Sequence, residues 1–227
     1  GRRSATGQAR EAVGIADCLM ALRPHWTRAL AEATPQGHLR RGVGIASCWY
    51  GCGNTGLPNP STMRLGLTAA GRLVLHQGAT DIGQGSNTVI PQIAAQALGL
   101  PLSDFSFIGP DTASSPDAGK TSASRQTFVS GRAAQAAGSA LRARLLRLVN
   151  AGEGAKLSLN GQTVTVSEGT ARHEIHLAAL PVDARGYALS VEETYDPPTR
   201  PLDENGQGSP YALYGYGAQM VELAVDT

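Results

Sequence analysis

Apolar side chains recur at helical spacing in three stretches of this chain and alternate with polar ones in several others. Across residues 9 to 33, Val13, Ala16, Met20, Trp26 and Leu30 fall on one side, with Pro24 interrupting. That pattern predicts two short helices broken near the proline. Arg41 to Trp49 reads as a strand, followed by a Gly/Pro/Asn-rich loop from Gly51 to Pro60. Met63–Thr68 and Leu73–His76 alternate on either side of Ala70-Gly71, which predicts a hairpin. From Ser86 to Leu98, the residues Val89, Ile90, Ile93, Ala94, Ala97 and Leu98 follow the 3.6-residue period, and Gly99 supplies a stop.

Phe105 to Ile108 then predicts a strand, and about Ser124 to Asn150 the longest helix, with Leu141, Leu145 and Leu148 on its buried face and Gly131 and Gly138 permitting close packing. Short strands follow at Leu157–Leu159, Thr163–Val166, Ala188–Tyr195 and Leu213–Val225, with a long Pro-rich connection from Asp196 to Pro210. The order predicts an α+β fold of mixed sheets with packed helices. It divides into a helix/strand part, residues 1–151, and a β-rich part, residues 152–227. The strand pattern still running at Val225-Asp226-Thr227 reads as a piece of something longer.

Composition narrows this only a little. The 227 residues are 41% hydrophobic, enough for a packed core. With 19 Lys plus Arg against 18 Asp plus Glu, the chain has no electrostatic reason to seek nucleic acid. No run approaches the roughly 18 apolar residues of a membrane span. Three cysteines are too few and too odd in number for a disulfide framework, which favours a reducing compartment, the cytoplasm before the periplasm. Cys48 and Cys52 lack a second pair to complete a metal site, and His173 and His176 read as surface residues.

Several familiar motifs fail on context. Gly51 to Gly56 has the dinucleotide spacing, but Leu57-Pro58-Asn59-Pro60 cannot open the helix that should receive a pyrophosphate. Gly119-Lys120-Thr121 mimics the end of a phosphate loop whose first glycine would be Ser114. No Gly-x-Ser-x-Gly elbow is present, and Gly152-Glu153-Gly154 falls at the end of a helix, away from the segments that follow.

Two segments carry chemistry: GATDIGQGSNT from Gly78 to Thr88, and GKTSASRQTF from Gly119 to Phe128. Each is a run of small residues that opens a helix. Helix N-termini leave backbone N–H groups unpaired and carry the positive end of the helix dipole, so together they suit an anionic cofactor.

These segments, with the ALGLP ending of the first helix and DTASSPDAGKTSASRQTFVSGRA, resemble the molybdenum-cofactor-binding region of the xanthine dehydrogenase and aldehyde oxidase family, most of all bacterial aldehyde oxidoreductases. RRGVGIASCWYGCGNTG upstream and SPYALYGYGAQMVELAVDT downstream extend the likeness over nearly the whole chain, more weakly in residues 152 to 210. The resemblance implies a part of a larger molybdopterin-binding domain, holding a molybdopterin, in bacteria usually the cytosine dinucleotide, and forming one wall of a site for water-derived hydroxylation of an aldehyde or N-heterocycle. Gly83, Gln84 and Gly85 match the turn beside the metal, where the glutamine amide can donate to a molybdenum ligand. Thr121, Ser122, Ala123, Ser124, Arg125 and Gln126 match the segment that holds the cofactor.

Tyr50 and Asn54 match positions lining a substrate funnel, and no residue here ligates the metal directly. The family's general-base glutamate is expected outside this chain, so the chain alone should be inactive. Partners implied are the rest of the molybdenum subunit and an iron–sulfur domain or subunit, with FAD as a further cofactor elsewhere. An exposed strand edge predicts self-association. The competing reading is a non-catalytic interaction or assembly module that binds no metal.

Overall fold

A helix needs one apolar stripe and a strand one apolar face, and the packing of these surfaces divides the chain into two compact units, residues 1–56 with 199–227, and residues 57–198. The computed structural model describes residues 2–10, 13–33, 37–53 and 58–227. In the first unit, β1 (Arg2–Arg3) pairs with β2 (Ala9–Arg10). Helix α1 (Ile15–Glu32) lies along the antiparallel pair of β3 (Leu39–Cys52) and the final strand (Leu213–Asp226).

The two helices expected before residue 33 are one. Pro24 sits inside α1 and removes a single hydrogen bond, a cost of about 3 kcal/mol in a helix interior. Packing along both strands and the pairing of Arg28 with Glu222 and Glu32 hold the helix through that point. Gly51, expected to begin a loop, instead lies within the strand, which runs on to Cys52; a Cβ there would lie 2.3 Å from the ring of Tyr211.

The second unit builds the larger core. Strands β4 (Ser61–Thr68) and β5 (Leu73–Gln77) form the expected hairpin. From β5 the chain runs through α2 (Ser86–Leu98) to β6 (Phe105–Ile108), which pairs parallel to β5. Both elements match their predicted bounds, and Gly85 and Gly99, each at φ 83°, take the left-handed backbone at the two ends of α2.

Residues Gln126–Ser130 form a π-helical turn leading into α3 (Gly131–Leu148), so the predicted long helix is wider at its start than a regular α-helix. Met63, Leu65, Leu67, Leu73 and Leu75 on the sheet meet Ile90, Ala94 and Leu98 of α2 and Ala137, Leu141 and Leu145 of α3. Gly138 allows the helices to touch, since a Cβ there would lie 2.6 Å from the carbonyl of Ala94.

Strands β7 (Lys156–Asn160), β8 (Thr163–Glu168) and β9 (Ala171–His176) form a three-stranded meander, and β10 (Tyr187–Tyr195) adds to the edge of β4; the last strand of the chain is β11. Val164, Val166 and Ile175 close the same core. Strand β9 is not visible in the apolar pattern because Ile175 is its single buried residue. His173 and His176 are exposed, as expected. The turn between β7 and β8 nests against the β4–β5 turn: a Cβ on Gly71 would fall 1.7 Å from the carbonyl oxygen of Gly161.

Candidate functional site

Strand β5 ends at Gln77, and the backbone must turn sharply before α2 can begin. Asp81 makes that turn. Its carboxylate accepts the N–H groups of Gly83 (2.8 Å), Gly85 (3.3 Å) and Asn87 (3.0 Å), which pull its pKa below the usual carboxylate range, the Asn87 bond foremost. Gly83 and Gly85 stand at φ 104° and 83°, and a Cβ at either would meet no atom within 4 Å. Glycine is required at these two positions by the backbone conformation, while the space beside them is open.

Gln84 folds back over this turn. Its Oε1 accepts from the N–H of Ile82 (2.6 Å), and its Nε2 donates to the carbonyl of Thr80 (3.0 Å) and the hydroxyl of Ser86 (3.2 Å). The Thr80 carbonyl also accepts from the hydroxyl of Thr121 at 2.8 Å. One backbone oxygen therefore joins the two predicted motifs. Beyond it, Gln126 donates to Thr121 Oγ1 (3.0 Å) and accepts from Ser130, whose hydroxyl meets that of Ser61 at 2.7 Å. Gln126 and Ser130 are both buried.

The second motif is built on Arg125, which is 1% exposed. Its Nε donates to the side chain of Asn59, Nη1 to the carbonyls of Ala118 and Lys120, and Nη2 to those of Asn59 (2.9 Å) and Pro60 (2.7 Å). All five guanidinium donors are thus used within the protein. Burial lowers the pKa of this group from its usual high value, against the opposing pull of Asp117 and Asp196. Gly119, at φ 66°, leaves room for it: a Cβ there would sit 2.8 Å from Nη1.

Immediately before Arg125 the backbone takes an unusual course. Ala123 and Ser124 stand at φ 52° and 54°, in the left-handed region that costs a non-glycine residue about 1–2 kcal/mol. The chain then returns to the right-handed region at Arg125. Such a reversal turns consecutive N–H groups toward one concavity. The N–H groups of Ser122, Ala123, Ser124, Gln126 and Thr127 meet no acceptor among the described residues, and neither do the hydroxyls of Ser122 and Ser124.

Residues 121 to 127 line a cleft of about 290 Å³ together with Gln84 and the exposed Ile82. The structure therefore gathers Gln84 and residues 121 to 126 at one place, and Gly83 and Gly85 flank Gln84 in the turn beside it. Tyr50 lies in the first unit, half exposed on β3 opposite Gly215. Asn54 lies outside the described residues.

The residues that sequence reasoning missed are Asp81, Asn59 and the Thr80 carbonyl. An Asp opening a Gly-rich turn was a readable signal. A backbone carbonyl and a distant asparagine leave none. Gly119-Lys120-Thr121 does not open a helix, since the first helical turn begins at Gln126. Among the described residues, no three His, Cys, Asp or Glu side chains converge to hold a metal ion directly.

Comparison with known proteins places this geometry in context. The family model described as molybdopterin cofactor-binding domain matches residues 20–227. The chain is 31% identical to a xanthine dehydrogenase molybdenum-binding subunit of Escherichia coli O157:H7, over 97% of its own length and 30% of that subunit. It is 29% identical to the aldehyde oxidoreductase of Megalodesulfovibrio gigas, over 100% of its length and 23% of the relative. Among solved structures, the aldehyde oxidoreductase of Desulfovibrio desulfuricans superposes with a TM-score of 0.78 at 24% identity, covering all of this chain and 23% of that one. The chain thus spans less than a third of the length of these relatives.

Proposed function

Because this chain belongs to the molybdopterin cofactor-binding domain family, we propose that the cleft between Gly83–Gly85 and Thr121–Gln126 is one wall of a molybdopterin site in a hydroxylase of the xanthine dehydrogenase or aldehyde oxidoreductase type. One observation carries the reading: residues 122 to 124, 126 and 127, whose N–H groups have no acceptor among the described residues, line the same cleft as Gln84. Convergent backbone donors at a helix start fit a phosphate or pyrophosphate.

When bound, the cofactor supplies the redox-active molybdenum for water-derived hydroxylation of an aldehyde or N-heterocycle. The chain's own part is to bind and orient. Backbone donors and the hydroxyls of Ser122 and Ser124 take the phosphate oxygens. Gln84, which also lines the cleft, would help hold the cofactor through the amide N–H that it gives here to Ser86. Gly83 and Gly85 keep the turn on either side of it free of side chains. Tyr50 and Asn54 belong to the substrate funnel in this reading, and the general-base glutamate comes from elsewhere in the protein.

The finer assignments follow the same reading. The nucleotide is the cytosine form, the electrons leave through iron–sulfur clusters, with FAD as a further carrier, and both lie on other domains or subunits. Three unbridged cysteines, Cys18, Cys48 and Cys52, agree with a cytoplasmic setting.

Metal and pterin analysis of the full-length protein, isolated with its natural partners, tests this. The expected result is about one molybdenum and one pterin per chain, with CMP released on hydrolysis. A protein that folds and carries neither molybdenum nor pterin refutes the reading, and release of no nucleotide refutes the cytosine form alone.

A further inference from the structure

Arg125 stands out in this molecule because its position contradicts its chemistry. A guanidinium at the edge of an anion site normally spends its fork on the anion. Here the fork is turned inward and spent on four backbone carbonyls and one side-chain amide, with no carboxylate within ion-pair distance among the described residues. The carbonyls come from two separate stretches, Asn59–Pro60 and Ala118–Lys120, so the side chain ties the approach to β4 to the loop that leads into the second motif. The two residues just before it hold a backbone conformation that alanine and serine do not favour.

We propose that Arg125 is a positioning residue, whose buried guanidinium clamps Ala123 and Ser124 in the left-handed conformation so that the N–H groups of residues 122 to 124 converge on the cofactor without Arg125 itself touching it. The inference rests on the cofactor reading above and assigns within it a role the motif alone does not disclose. Gly119 agrees with it, since any side chain there would collide with the guanidinium. Ser122 agrees as well: its carbonyl accepts the N–H of Arg125 at 3.2 Å, closing the turn that contains both strained residues.

A clamp and a contact respond differently to backbone freedom. Glycine adopts the left-handed region without penalty, so a glycine in place of Ala123 substitutes for a clamp but not for a lost contact. The test measures the rate at which the full-length holoprotein releases its pterin, followed by the fluorescence of the oxidised product. Arg125→Lys keeps the charge, loses the fork and should speed release at least tenfold. Adding Ala123→Gly, which takes no polar group from the cleft, to that variant should slow release again by about five- to thirty-fold, the factor that corresponds to the 1–2 kcal/mol of backbone strain at one residue.

Asn59→Ala removes one acceptor of the clamp and is read in the same way, so that the question is decided even if Arg125→Lys does not fold. Release at the wild-type rate in these variants, or faster release that the Ala123→Gly change does not slow, overturns the clamp. A wild-type protein that carries no pterin overturns the cofactor reading instead.

Discussion

Replacing Gly138 with alanine sets two effects of opposite sign against each other. Glycine is a poor helix residue, and alanine in the interior of an exposed helix is worth about 1 kcal/mol more. Propensity alone therefore predicts a more stable protein. The structure predicts the reverse, because a Cβ at 138 would lie 2.6 Å from the carbonyl of Ala94, 2.8 Å from the Cβ of Ala97 and 3.1 Å from the backbone nitrogen of Leu98. Two of these three atoms belong to the backbone of α2, which cannot turn aside as a long side chain would. Overpacking of this kind costs roughly 1–3 kcal/mol. Subtracting the propensity gain leaves a loss of about 0–2 kcal/mol, or up to about 8 °C in melting temperature at 2–4 °C per kcal/mol.

The consequence reaches the proposed cofactor cleft, since α2 follows Gln84 by two residues and the π-helical turn before α3 begins at Gln126, both of which line it. Calorimetry of the Gly138→Ala protein should give a lower melting temperature and a lower cofactor content. Gly154→Ala is the control, because a Cβ there meets nothing within 4 Å. A Gly138→Ala protein that melts above the wild type means that the helices can separate freely, and the argument from close packing fails.

The remaining expectations concern charge and the cleft. Burial first, and then the nearby Arg64, lowers the pKa of His76 below its ordinary 6.5, so the folded protein holds the neutral ring against the hydroxyl of Tyr187. That stability is complete above pH 6.5 and is lost as the pH falls through the lowered folded-state value; urea titrations from pH 5 to 8 should show the decline, and His76→Gln should flatten it. Asp81→Ala, which strips the first turn of its acceptor, should reduce cofactor content more than Asp81→Asn, which keeps one carbonyl oxygen; equal content in both would remove Asp81 from the site. Gln84→Ala should lower turnover per bound cofactor by one to two orders of magnitude, as the loss of a charge-assisted hydrogen bond of about 1.5–3 kcal/mol requires, and unchanged turnover would confine Gln84 to shaping the loop.

What could be read beforehand depended on how local the cause was. The bounds of α2 and β6 are set by neighbours in sequence: the left-handed glycines at 85 and 99, then Pro101 and a short apolar run. Pro24 misled because its local cost is opposed by packing that comes from β11, almost 200 residues later. Strand β9 was lost because its register is imposed by β8 and not by its own side chains. In the cleft, residue types and their spacing pointed to two segments that the fold brings together. The inward turn of Arg125 and the joining of both motifs at the Thr80 carbonyl were illegible, since the acceptors are backbone atoms that any residue would supply.

The contact between the β4–β5 and β7–β8 turns bears on how this domain can vary and be altered. Hairpin turns are ordinarily where a lineage adds or loses residues and where an engineer grafts a tag. With the Gly161 oxygen occupying the space where a side chain of residue 71 would stand, neither turn can lengthen without pushing the other away and parting the sheets behind them. The β8–β9 turn at Gly169 has no such neighbour. Length differences among related domains should therefore gather at 169 and be scarce at 71 and 161, and a fluorophore or epitope inserted after Gly169 should be carried without harm to the fold.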